Sequence, residues 1–170
     1  GDVDGDGDLD LLIGNTNQAN QLLLGDGSGG FGAAATLPGG SASTSAVAMG
    51  DVDGDGDLDL LIGNVNQPNQ LLLGDGSGGF GEPATLPGDS ANTRAVAMGD
   101  VDGDGDLDLL IGNCYGGVNE LLLGDGTGGF SAADGFPGGS AKTYAVAMGD
   151  IDGDGDLDLL IGDRDSTRDN

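Results

Sequence analysis

Asp2-Val3-Asp4-Gly5-Asp6-Gly7-Asp8-Leu9-Asp10-Leu11-Leu12-Ile13-Gly14 packs five aspartates into nine residues and then runs directly into apolar side chains. The run returns at Asp51 and Asp100, and at Asp150 with Ile151 in place of valine, at spacings of 49, 49 and 50 residues. Other landmarks keep the same phase: Phe31, Phe80 and Phe130; Pro38, Pro87 and Pro137; Met49, Met98 and Met148. Self-similarity at such a period is the mark of a repeat architecture. The chain reads as one array of units 1–49, 50–98 and 99–148, with a partial unit 149–170. The single extra residue lies between Asn113 and Asn119, which marks that segment as a surface loop.

Each unit reads as four short strands. Ala46–Met49 is small-sided and tightly packed. Leu9–Ile13 is nearly continuous in apolar residues, as in a strand covered on both faces. Gln21–Leu24 follows across a polar Asn/Gln hairpin. The segment 25–30 then makes a tight glycine turn, Phe31 opens a last strand ending near Leu37-Pro38, and 39–45 is a loop. Four strands about every 40–50 residues describe a propeller blade. A blade needs neighbours to bury its faces, and Leu11, Leu23, Phe31 and their equivalents are the expected inter-blade core. The expected class is therefore all-β: tandem four-stranded antiparallel blades, β-propeller-like. The strands fall three, four, four and two along the chain, which favours an open or intermolecularly completed array.

Within the aspartate run, Asp2, Asp4, Asp6 and Asp10 stand at positions 1, 3, 5 and 9 of a loop. Gly7 stands at position 6, and Asp8 at position 7 can offer its main-chain carbonyl. This is the ligand spacing of a calcium loop, and calcium takes about 6–8 oxygens in a flexible shell. Zinc would want imidazole or thiolate, and the chain has no histidine and one cysteine. Magnesium demands a stricter octahedron. Position 12 is Ile13, Ile62, Ile111 or Ile161 where an EF-hand has glutamate, so this is a different loop. A merely solvated acidic turn is disfavoured, because so many adjacent carboxylates repel without a cation. Four Ca²⁺, one per loop, are expected. The residues involved are Asp2, Asp4, Asp6, Asp8 and Asp10; Asp51, Asp53, Asp55, Asp57 and Asp59; Asp100, Asp102, Asp104, Asp106 and Asp108; and Asp150, Asp152, Asp154, Asp156 and Asp158.

The formal net charge of −26, from 30 acids and 4 bases, argues against nucleic acid and anionic membrane surfaces as partners. No stretch approaches the roughly 20 apolar residues of a membrane span. The only cysteine, Cys114, forms no intrachain disulfide and reads as a loop residue. The chain opens at Gly1 against a motif, as a processed chain or a segment of something longer does. Catalysis is not expected: there is no histidine for acid–base work, and Cys114 has none to activate it.

The run Gly1–Asn15 together with Leu22–Phe31 resembles the FG-GAP-like repeats, also called VCBS-type repeats, related to the blades of the integrin α-subunit propeller. The resemblance covers essentially the whole chain. It implies a β-propeller whose loops bind calcium through Asp-x-Asp-x-Asp-Gly-x-x-Asp. On that pattern the side-chain ligands are the first, third, fifth and ninth residues of each loop. It also implies a secreted or cell-surface protein in an adhesive or matrix role. The leading expectation is a calcium-rigidified extracellular structural or adhesive module. Near-identical interfaces would suit head-to-tail self-association into a filament. The alternative is a calcium-dependent ligand- or glycan-binding propeller, a receptor or lectin head.

Overall fold

A computed structural model describes residues 1–88, 92–115, 117–134, 136 and 142–164. Pro137 and the last six residues of the fourth unit lie outside the described residues. No described residue is helical. The first sheet pairs β1 (Leu11–Ile13), β2 (Gln21–Leu23) and β3 (Ala35–Thr36). The second orders β4 (Thr44–Gly50), β5 (Asp59–Asn64), β6 (Gln70–Leu72) and β7 (Ala84–Thr85). The third repeats it with β8 (Asn92–Gly99), β9 (Asp108–Cys114), β10 (Glu120–Gly124) and β11 (Phe130–Ala132). A fourth pairs β12 (Thr143–Gly149) with β13 (Asp158–Asp163). All pairings are antiparallel, and neighbours in the chain are neighbours in each sheet. The fold is thus all-β and blade-like. A sheet starts at Thr44 rather than at Gly50, so each blade takes its first strand from the end of one sequence unit and the rest from the next.

The alternation of side chains along a strand explains why Leu-Leu-Ile suits this fold. Leu60, Ile62 and Leu72 face back to Val3, Leu22 and Leu37 of the first sheet. Leu61 and Leu71 face forward to Leu109, Ile111 and Leu122 of the third. Every residue of β5 and of β9 is buried. Both faces of one strand are therefore core, and each sheet passes the same interface to the next. The equivalents of Leu11, Leu23 and Phe31 do line these interfaces. In the first sheet itself, Leu11 and Phe31 lie on the outer face and are 41% and 48% exposed.

Two further expectations need correction. Phe31 and Phe80 do not open a strand; each forms a lone bridge, to Gly25 and Gly74, and the outer strand shrinks to two residues. Only in the third unit does the strand begin at the phenylalanine, Phe130. Cys114 is not a loop residue. It ends β9, opposite Asn92, and is fully buried, so its thiol is shielded from an intermolecular crosslink.

The glycine closing each motif has a packing reason. A Cβ on Gly63 would lie 2.7 Å from Thr93 Cγ2 and 3.2 Å from Val96 Cγ1, because the inner strand of the next sheet crosses there. Gly14 meets Thr44 and Gly112 meets Thr143 and Val146 in the same way. Gly63→Ala overpacks this crossing and is expected to cost about 1–3 kcal/mol in a urea melt. An unchanged midpoint would show that the sheets can part freely here.

Buried polar groups form a second inter-sheet link. Asn69 Oδ1 accepts from the Asn64 N–H at 2.9 Å and from Thr93 Oγ1 at 3.0 Å, and Thr93 Oγ1 also lies 2.9 Å from Asn113 Oδ1. Asn119 Nδ2 donates to Thr143 Oγ1 at 2.8 Å. Asn20, Asn64, Asn69, Asn113 and Asn119 of the polar hairpins are thus interior groups, and those named here are satisfied within and across sheets as buried polar atoms must be.

Candidate metal centres

Each aspartate run folds as a loop because its own carboxylates satisfy its own N–H groups. In the second loop Asp51 accepts from Gly54 N at 2.8 Å and Gly56 N at 2.9 Å. Asp55 Oδ1 accepts from Asp57 N at 2.9 Å. The third and fourth loops repeat these bonds through Asp100 and Asp150. The glycines at positions 4 and 6 take positive φ in every loop, Gly54 at 74° and Gly56 at 94° for example. Only glycine adopts that conformation without steric cost. Position 6 was legible as a turn; position 4 is equally required.

The ninth residue clamps the loop shut. Asp59 accepts from Val52 N through one oxygen and from Gly74 N through the other, both at 2.8 Å. Asp10 and Asp108 do the same with Val3 and Gly25, and with Val101 and Gly124. Asp158 holds Ile151 N at 2.9 Å. The loop is thereby fixed to the strand that follows it and to the glycine turn beyond.

One carboxylate oxygen from each of three aspartates comes within 4.8 Å of the others in every loop. The trios are Asp2, Asp4 and Asp6; Asp51, Asp53 and Asp59; Asp100, Asp102 and Asp108; and Asp150, Asp152 and Asp158. The remaining aspartate of positions 5 and 9 is tied to main-chain N–H groups in each: Asp10, Asp55, Asp104 and Asp154. The side chains at position 7 turn elsewhere. Carboxylate oxygens of Asp8, Asp57 and Asp106 lie against Gly27, Gly76 and Gly126 of the adjoining turn. Asp156, in the fourth loop, joins none of the trios. That leaves position 7 its main-chain carbonyl as the group to offer a cation.

These residues fit a hard divalent cation on two counts. The donors are all oxygens, the preference of calcium. In the first loop Asp2 Oδ1 is buried and accepts no hydrogen bond, an acceptor without a donor. Buried polar atoms of that kind call for a partner. Four carboxylate trios are in place, one per repeat, consistent with Ca²⁺.

The electrostatics agree. Burial raises the carboxyls of Asp4, Asp53 and Asp102 above the ordinary 3.8; a main-chain N–H opposes this, and neighbouring aspartates push further up. Asp59 is raised by burial first, against the pull of the Gly74 and Val52 N–H groups, with Asp53 and Asp55 adding to the rise. A carboxyl raised in the folded state stabilises the fold below its unfolded value, and that stability is lost as pH rises through the folded one. Without metal, the melting temperature is therefore expected to rise as pH falls from 7 towards about 4. With calcium the sign reverses, because protons compete for the ligands. Melts in chelator that fall over this range would contradict the assignment. Asp26, Asp75 and Asp125 behave oppositely. Each is lowered by hydrogen bonds from the Ser or Thr hydroxyl two residues on, and from the N–H groups of its own glycine turn. Their contribution is lost only as pH falls below the unfolded value of 3.8.

The loops also touch the next blade. Gly78 N donates to Val3 O at 3.1 Å, and Gly128 N to Val52 O at 3.2 Å. The second residue of a loop thus receives the glycine turn of the following sheet.

Among solved structures, the chain is similar to an Agrocybe aegerita lectin that recognises non-reducing terminal N-acetylglucosamine. The TM-score is 0.62 at 20% identity, over 94% of this chain and 44% of the lectin. It is similar as well to the Photorhabdus luminescens Tc holotoxin pore, with TM-score 0.51 and 24% identity over 89% of this chain and 8% of the toxin. At these identities the likeness speaks for the fold alone, and the chain spans less than half of either protein. The curated proteins hold no significant match to the sequence. The FG-GAP-like repeat profile matches three overlapping times, at residues 2–62, 51–111 and 100–161. With its blades and its aspartate loops in the same phase as those matches, the chain belongs to the FG-GAP-like repeat family.

Proposed function

We propose that this protein is an extracellular structural or adhesive module whose blades are rigidified by calcium, without catalytic activity of its own. The observation that carries the reading is the repeated trio of carboxylates, wired at its edge to the next blade through Val3 and Val52. A cation there stiffens a loop and the contact beyond it together. Millimolar calcium outside the cell suits sites of this kind, for which Kd values of ~10⁻⁴–10⁻³ M are typical. Isothermal titration calorimetry is expected to show about four Ca²⁺ per chain in that range. No heat up to ten times that concentration would remove the reading.

Self-association belongs to the same proposal. Leu9, Leu11 and Phe31 stand exposed on the first sheet, and Ile151 and Leu160 on the last. They are the counterparts of residues that pack together between the inner sheets, so a second copy of this chain would fit head to tail. Sedimentation velocity in calcium should then show growth with concentration, abolished by Leu160→Lys. A monomer at every concentration would dismiss this part while leaving the calcium reading intact.

A further inference from the structure

The four aspartate loops are nearly identical, so the places where the repeats differ carry the information that is peculiar to this chain. Several of those differences gather at the end of the sheets opposite the loops. The residue after the first strand threonine is Ser45 in one unit, Arg94 in the next and Tyr144 in the third. In each inner strand the register slips at that residue, between Thr44 and Ala46, Thr93 and Ala95, and Thr143 and Ala145. Such a bulge re-aims the side chain it carries. Ser45 uses the position to bond the carbonyls of Gly63 and Thr93. Arg94 and Tyr144 are put to a different use.

A second position changes alongside. Asn17 and Asn66 take positive φ at 57° and reach across to Ser43 and Asn92 of the next sheet. Their counterpart is Tyr115, also left-handed at 58° and 62% exposed. Asparagine tolerates that backbone, whereas a bulky tyrosine is strained there. Strain of this sort collects at binding sites. The Tyr115 and Tyr144 hydroxyls lie 3.4 Å apart, and the Arg94 guanidinium carbon lies 5.9 Å from the centre of the Tyr115 ring. Arg94 Nε is buried with no acceptor, a donor in want of a partner. Lys142 and Arg164 flank the pair, joined by their main chains at 2.9 Å. Three of the four basic residues of a −26 chain thus stand at the same end of neighbouring sheets. Of the two acids adjacent to Arg164 in sequence, Asp163 accepts from Thr143 Oγ1 at 2.6 Å, and Asp165 lies outside the described residues. The aspartate loops lie a strand length away, roughly 20 Å, about two Debye lengths at physiological salt.

We propose that Arg94, Tyr115 and Tyr144, with Lys142 and Arg164 beside them, form a binding site for a carboxylate-bearing saccharide. The guanidinium supplies charge-assisted hydrogen bonds to the carboxylate. The tyrosines offer amphipathic rings on which a sugar can stack, with hydroxyls for its polar edge. An acidic peptide could also meet a cluster of arginines, but it would leave the two tyrosine rings unused, so it is kept as an outcome of the test. The site goes beyond the calcium reading and stands apart from the loops in space.

The test uses the whole chain in saturating calcium and saturation-transfer NMR. The probe is a tetrasaccharide alternating glucuronate and N-acetylglucosamine; the control is the same sugar with its carboxyls reduced to alcohols. The acidic sugar is expected to bind and the reduced one not to. Arg94→Ser and Tyr115→Asn install residues that sister repeats already carry, so both variants fold. Each should weaken binding about tenfold or more. Tyr115→Asn should also raise the melting temperature, because the left-handed strain is relieved. Equal binding of the reduced sugar would overturn the proposal. So would no binding of either, binding of an aspartate-rich peptide in place of the sugar, or binding that survives Arg94→Ser, which would place the sugar on loop-bound calcium.

Discussion

Chelation of calcium is expected to lower the melting temperature by about 20–40 °C. A ligand at a hundredfold its Kd adds about 2.7 kcal/mol per site, so four independent loops add on the order of 11 kcal/mol. That equals the whole stability of many single domains. Among described residues the core is thin: it is two clusters between successive sheets, and the outer strands of the first two sheets are two residues long. Without a cation the trios leave adjacent carboxylates opposed, which acts against folding. Circular dichroism melts in about 10 mM calcium, a hundredfold the tighter Kd expected, and then in excess chelator, measure the difference. A shift of only a few degrees would mean that the loops are acidic turns held by their own N–H bonds, and the central reading would fail.

The wiring between blades suggests that the loss will be shared across the array. Val3 and Val52, which receive the next glycine turns, are also core residues, 4% and 2% exposed. Their N–H groups are held by Asp10 and Asp59. One residue therefore joins a metal loop, a hydrophobic interface and a neighbouring turn. A loop that loosens takes part of the interface with it, as in arrays where each repeat leans on its neighbours.

Much of this arrangement is written locally and could be read without coordinates. The Asp-x-Asp-x-Asp alternation, the two-sided Leu-Leu-Ile strand and the glycine turn each act over a few residues, and a fixed period carried them along the chain. What escaped depends on contacts between units. Phe31 looks like the start of a strand because it is aromatic and follows a turn, yet its strand has only Gly25 to pair with at that point. Asn64 and Asn69 look like hairpin polars because nothing nearby in sequence reveals Thr93 of the next sheet. Gly63 looks like a spacer until the same threonine is seen against it. At position 7 the spacing points to the main-chain carbonyl, and the Asp57 carboxylate lies apart from the trio, against Gly76 of the adjoining turn. The asparagine and glycine misses are contacts with the next sheet, which a short window cannot contain.

Asp57 and Asp59 therefore make the sharpest comparison within a loop: two aspartates two residues apart with unequal expected effects. Asp59 is fully buried and accepts from Val52 N and Gly74 N while offering an oxygen to the trio. In Asp59→Asn an amide NH₂ must face a main-chain N–H or the cation, so a buried donor loses its acceptor and the trio loses one of its three charges. The expected cost is about 3–5 kcal/mol in calcium, the sum of an unsatisfied buried group and a lost site. Asp57 gives its carboxylate to neither the trio nor the clamp, and its main-chain carbonyl survives substitution. Asp57→Asn is expected to change stability by less than about 0.5 kcal/mol. Urea denaturation of both variants, with and without chelator, separates the two parts of the Asp59 effect. The calcium-dependent part vanishes in chelator and the hydrogen-bond part remains. Equal losses for the two variants would mean that charge density alone holds the cation, and that the clamp through Val52 and Gly74 carries no share of it.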